Sequence, residues 1–128
     1  MAIVRATETP RFDLPGTHFF GLLAPSRGST ELCTWRLELD PGAGVNNGPH
    51  QLDHEEAFML LEGSLTIKID GEAFVLQPGD ALSVPARSLL HVSNPASEPA
   101  KALVCIRAGF RAKMMDTGEE IGTPPWAL

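Results

Sequence analysis

Apolar and polar side chains alternate along most of this chain with a period of two. Between residues 32 and 39, Cys33, Trp35, Leu37 and Leu39 fall on one side and Thr34, Arg36 and Glu38 on the other. Successive strand residues point to opposite faces, so this pattern predicts a half-buried β-strand. Asp40-Pro41-Gly42 ends it with turn chemistry. The run from Ser64 to Ile69 alternates again with Leu65, Ile67 and Ile69 inward, and Asp70-Gly71 then predicts a tight hairpin. The return strand covers 72–77 and stops at Pro78-Gly79-Asp80. Shorter strands are predicted over 81–84, ending at Pro85; over 89–93, ending at Asn94-Pro95; and over 101–107, with Val104 and Ile106 on one face. Two or more further strands are expected in residues 1–28, where Phe12, Leu14, Phe19, Phe20, Leu22 and Leu23 supply apolar material.

Short strands with turn signals roughly every ten residues predict an all-β fold, an antiparallel sandwich or barrel. No repeat or linker interrupts the pattern. Residues 1–128 therefore read as one barrel domain, with 1–30 contributing N-terminal strands and 111–128 forming a packed C-terminal tail. That tail loses periodicity and ends in Pro124-Pro125-Trp126. An indole is costly to leave in water, so the tail is expected to pack on the barrel or on a second subunit. Residues 50–62 stay open between helix and strand: Gln51, Leu52, Glu55 and Ala57 are good helix formers, and a helix would put His50 and His54 one turn apart. As a strand, the same segment puts His50, Leu52, His54, Glu56 and Phe58 on one face.

Composition narrows the function. The 12 glycines and 11 prolines in 128 residues exclude long helices and coiled coils. The net charge of −6, with no Lys/Arg run, argues against nucleic acid and anionic membrane surfaces as partners. The run Ala57 to Leu61 is far short of the roughly 20 apolar residues that a membrane span needs. Residues 1–8 lack a signal-peptide core, so a cytoplasmic location is expected. Cys33 and Cys105 read as two small buried hydrophobes, and His18 beside Phe19-Phe20 as a packing histidine.

Candidate chemistry rests on His50, His54, Glu56 and His91. In a barrel, inward residues from separate strands converge, and imidazoles with a carboxylate suit Fe, Mn, Ni or Zn as divalent ions. Here the chain resembles the cupin superfamily of small jelly-roll (double-stranded β-helix) barrels. The first cupin motif reads G-x5-H-x-H-x3-E-x6-G, and Gly44, His50, Glu56 and Gly63 fit its spacing. The second reads G-x5-P-x-G-x2-H-x3-N, and Gly79, Pro85 and Asn94 fit. The resemblance covers residues 32–107 and implies that the 50–62 segment is strand. It also implies four metal-ligand positions, of which His50 and Glu56 are filled, while Leu52 and Leu90 replace the other two and Arg87 replaces a glycine.

Two substitutes present themselves. His54 shares strand parity with His50 and Glu56. His91 has the wrong parity on a regular strand, but a one-residue bulge before it would swing it inward. A rearranged metal site of His50, His54, Glu56 and His91 is the resulting expectation, with Glu56 and His91 as catalytic groups. The function expected from it is a metal-dependent enzyme acting on a small organic molecule, of the dioxygenase, isomerase or cyclase type. The alternative is a metal-free cupin in which Leu52 and Leu90 line an apolar ligand pocket. Small cupins commonly pair, and a homodimer is expected through the apolar N-terminal segment and the tail.

Overall fold

The computed structural model describes residues 1–128. The alternating runs become twelve strands: β1 (Arg11–Leu14), β2 (Thr17–Gly21), β3 (Leu32–Leu39), β4 (His50–Leu52), β5 (Glu56–Glu62), β6 (Leu65–Ile69), β7 (Glu72–Leu76), β8 (Ala81–Val84), β9 (Leu90–Ser93), β10 (Ala100–Arg107), β11 (Ala112–Met114) and β12 (Glu120–Gly122). Helical structure is limited to single 3-10 turns at Ala6–Glu8, Pro25–Arg27 and Pro125–Ala127. No helix is long and apolar enough to cross a membrane.

The strands pair antiparallel throughout and form two six-stranded sheets, ordered β1-β2-β3-β10-β5-β8 and β12-β11-β4-β9-β6-β7. Each sheet turns one face toward the other. β3 buries Cys33, Trp35, Leu37 and Leu39, as its period requires, and β10 buries Ala100, Ala102, Val104 and Ile106. Leu65 and Ile67 of β6 and Leu90 of β9 meet them from the second sheet, within one cluster of 21 buried apolar residues. The β6–β7 hairpin turns on Asp70 (φ 51°) and Gly71 (φ 87°), the positive-φ pair that its two-residue loop demands.

Four details depart from the pattern reading. Residues 50–62 are extended, but they break into β4 and β5 at a bend over 53–55. The tail carries two short strands, β11 and β12, which extend the second sheet beyond β4. Beyond them, Trp126 stacks on Phe19 with ring centres 3.7 Å apart and lies edge-on to Trp35. Cys33 is fully buried, whereas Cys105 lies on the opposite parity from Val104 and Ile106 and is partly exposed. His18 is not a packing residue. Its Nδ1 meets Asp13 at 2.5 Å and its Nε2 meets Asp40 at 3.2 Å, on the outside of the sheet.

One buried polar group ties the rim together. Asn94 is 0% exposed, and its Nδ2 donates to the carbonyls of Leu39, Asp40 and Glu98 while its Oδ1 accepts from the Ala96 amide. Its backbone completes the clamp, with Gly42 N donating to Asn94 O and Asn94 N to Ala43 O. Gly44 follows in the left-handed region (φ 79°), so close to the Val92 carbonyl that a Cβ there would collide with it.

Candidate functional site

Strand parity puts two polar side chains between the sheets. On β5 the inward set is Glu56, Phe58 and Leu60. Glu56 is the register partner of Ile106 on β10 and Val84 on β8, and is 4% exposed. Its Oε1 is buried without any hydrogen-bond partner, a condition shared in this protein only with the indole nitrogen of Trp126. Burial pushes the Glu56 carboxyl up to about 8, because the charged form has nothing to offset its lost hydration.

His50 enters from β4 on the opposite sheet. Cross-strand pairs Ile69–Leu90, Leu90–His50 and His50–Met114 set it in one row across the inner face. Leu90 is 1% exposed, while Ile69, His50 and Met114 each keep an edge in solvent, so this row forms the mouth of the interior. Burial, and behind it the positive charge that His91 can carry, hold the His50 imidazole down to about 4. At neutral pH both interior groups are therefore uncharged.

The remaining expected ligands stay outside. His54 lies on the bend between β4 and β5, where strand parity no longer applies. Its Nδ1 meets Asp53 Oδ1 at 2.8 Å, and that oxygen also accepts from the Arg111 amide. β9 lacks the bulge that would turn His91 inward: Leu90 to Ser93 pair one for one with Ile69 to Thr66 of β6. His91 shares the outer face with its partner Lys68 and donates from Nε2 to the Gly44 carbonyl at 2.8 Å. The irregularity is absorbed earlier, at Arg87, whose φ of 67° is the conformation glycine would adopt freely. Gln51 Nε2 and the Leu52 carbonyl hold Arg87 there through its backbone.

Leu52 and Leu90 face inward, 6% and 1% exposed, at the two positions where the motif has imidazoles. No group of three or more His, Cys, Asp or Glu side chains is placed to hold a metal ion. The four-residue metal set is thus not assembled, and two inward donors do not fit zinc or non-haem iron, which take three protein ligands in catalytic sites. Two cavities, of about 410 and 370 Å³, lie elsewhere. The first is on the outer face of the β3/β10/β5 sheet beside Ala57, Cys105 and Arg107, and the second is on the 40–47 rim. Met114, which the sequence offered only as a packing residue in a segment without periodicity, joins the mouth through its pairing with His50; Ile69 was already legible as an inward strand residue.

The histidines provide a direct check. Two-dimensional NMR titration is expected to show His18 titrating above 6.5, since its hydrogen bond to Asp13 favours the charged ring, and His50 near 4. A His50 ring that titrates like an exposed one would show that it does not enter the interior.

Comparison with known proteins places this geometry in context. The family described as Cupin domain matches residues 35–106. The chain is similar to the tetracenomycin polyketide synthase protein TcmJ of Streptomyces glaucescens, 31% identical over 83 residues that cover 64% of this chain and 55% of that protein. The chain thus spans little more than half the length of this curated relative. Among solved structures it is similar to the polyketide cyclase RemF from Streptomyces resistomycificus, with a TM-score of 0.73, 19% identity and coverage of 84% of this chain and 79% of that one. It is also similar to a sugar phosphate isomerase of a cupin superfamily from Silicibacter pomeroyi, with a TM-score of 0.71, 19% identity and coverage of 98% and 95%. At these identities the structural likenesses establish the fold.

Proposed function

This chain belongs to the cupin domain family, and on that footing we propose that it takes up a small, oxygen-bearing aromatic molecule of the polyketide class between its sheets and moves protons on it. One observation carries the reading. Strands β4 and β5, on opposite sheets, supply the interior with one imidazole and one carboxyl, both uncharged at neutral pH and set among aliphatic side chains. Such a site suits a largely apolar ligand with few polar handles. An acid that keeps its proton can hydrogen-bond a ketone oxygen, while a neutral imidazole can accept a proton from the adjacent carbon. That division of roles is what ring closure or isomerisation through an enol needs.

The names of two similar proteins, a polyketide synthase protein and a polyketide cyclase, support the same ligand class. A sugar phosphate fits less well. Phosphate recognition rests on Arg or Lys, and the buried polar side chains here are Glu56, Ser88, Ser93 and Asn94. The metal-dependent reading draws no support from the donor set, because Leu52 and Leu90 contribute none.

Tryptophan fluorescence tests the ligand class. Dihydroxyanthraquinone is expected to bind and to quench Trp35 emission, while a hexose phosphate at the same concentration leaves it unchanged. Binding of the hexose phosphate alone, or of neither compound, overturns the proposal.

A further inference from the structure

A chelating barrel would carry imidazoles where this one has Leu52 and Leu90. Leu90 is the direct cross-strand partner of His50, so its side chain occupies the place beside the ring where a second imidazole would stand. Leu52 lies on the same face of β4, paired with Ala112. Both are packed into the apolar cluster. Glu56 has not followed them toward apolar character. Its Oε1 remains buried and unpartnered, a desolvation cost that an aliphatic residue would not incur. A buried polar atom without a partner in the free protein can gain one from a ligand.

From this we infer that the barrel has exchanged chelation for hydrogen bonding: the Glu56 carboxyl itself engages a carbonyl oxygen of the bound molecule, with no cation between them. The inference rests on the functional reading above and names its specificity-determining group. A carbonyl oxygen only accepts, so the carboxyl presents its O–H, the form that an apolar interior without a neighbouring cation favours. Ile69, Leu90 and Met114 at the mouth offer a ring system apolar contact alone. Of the two polar groups inside, His50 is assigned the proton on the adjacent carbon, so discrimination between a ketone and the corresponding hydrocarbon falls to Glu56.

Acetonaphthone and ethylnaphthalene have the same shape and differ by that oxygen, so they make suitable probes. The wild-type protein is expected to bind the ketone about tenfold or more tightly than the hydrocarbon. Glu56→Leu is expected to bind both alike, with a urea midpoint at least equal to that of the wild type. A ketone preference that survives Glu56→Leu overturns the inference while leaving the functional reading intact. Failure of the wild type to bind either probe overturns both. In a second arm, zinc ion is added to the wild type and to the Leu52→His/Leu90→His double variant. The wild type is expected to take up less than a tenth of an equivalent and to keep its ketone affinity, and the double variant to gain stoichiometric zinc. One equivalent of zinc on the wild type, lost in Glu56→Leu, overturns the inference independently of the probes.

Discussion

Between pH 6.5 and pH 8 the protein is expected to lose roughly 1.5 kcal/mol of stability relative to the Glu56→Gln variant. In the unfolded chain the Glu56 carboxyl gives up its proton near 4.5, and in the folded protein near about 8. Its contribution is complete below the lower value and is lost as pH rises through the upper one. His50 has the opposite sign. Its imidazole titrates near 6.5 when unfolded and about 4 when folded, so its contribution is present above 6.5 and lost as pH falls toward 4. Each slope is about 1.4 kcal/mol per pH unit. The two cancel between 4.5 and 6.5, which predicts a plateau there and a decline on either side. Glutamine keeps the side-chain length and cannot ionise, so Glu56→Gln retains only the His50 slope: stability climbs to 6.5 and then stays level with respect to these groups. Other titrating groups, including His18, are common to both proteins and cancel in the difference. Urea unfolding at a series of pH values measures it. Parallel profiles for the two proteins would mean that Glu56 is not an uncharged interior acid.

Asn94→Ala is expected to destabilise the fold by roughly 4 kcal/mol, the scale of several buried hydrogen bonds lost at one site. The substitution takes their partner from the carbonyls of Leu39, Asp40 and Glu98 and from the amide of Ala96, around a side chain that is itself 0% exposed. Asn94→Asp separates hydrogen bonding from volume. It is nearly isosteric, but it turns a carboxylate oxygen toward three carbonyl oxygens, so it is expected to cost at least as much at neutral pH. Equilibrium unfolding of both variants gives the comparison, and a mild Asn94→Asp effect would show that the amide protons are not what holds the rim. The motif asparagine therefore serves architecture in this chain: it fastens the β3 end and the 40–44 loop to the turn after β9.

The two interior groups differ in how far the sequence revealed them. Glu56 was legible as an inward residue only in the strand reading that puts it on one face with Phe58, and the motif spacing to Gly63 selected that reading over a helix. His50 was legible only through motif spacing, since its three-residue strand is too short to show a period. His54 and His91 were assigned inward on parity arguments that each needed one local detail. For His54 the detail was an unbroken strand through 53–55, and the chain bends there. For His91 it was a bulge before residue 91, and Arg87 takes up the irregularity ahead of the strand. Neither detail is encoded by side-chain polarity. The bend is held by a hydrogen bond from Arg111 to Asp53, and the Arg87 turn by contacts with β4, so both depend on segments distant in the chain.

By itself the sequence determined most strands between residues 32 and 107 outside the 50–62 segment, their buried faces and the hairpin at Asp70-Gly71. These follow from the period-two projection of side chains and from turn chemistry, which are properties of neighbouring residues; the strand assignment of 50–62 came from the cupin resemblance. Only the tertiary structure decided which polar groups share the interior, because that depends on register and on where strands are interrupted. A one-residue difference in either carries an imidazole from inside the barrel to its surface. Here the outcome is one imidazole and one acid inside, with leucines at the positions where a metal site would have had its other two ligands.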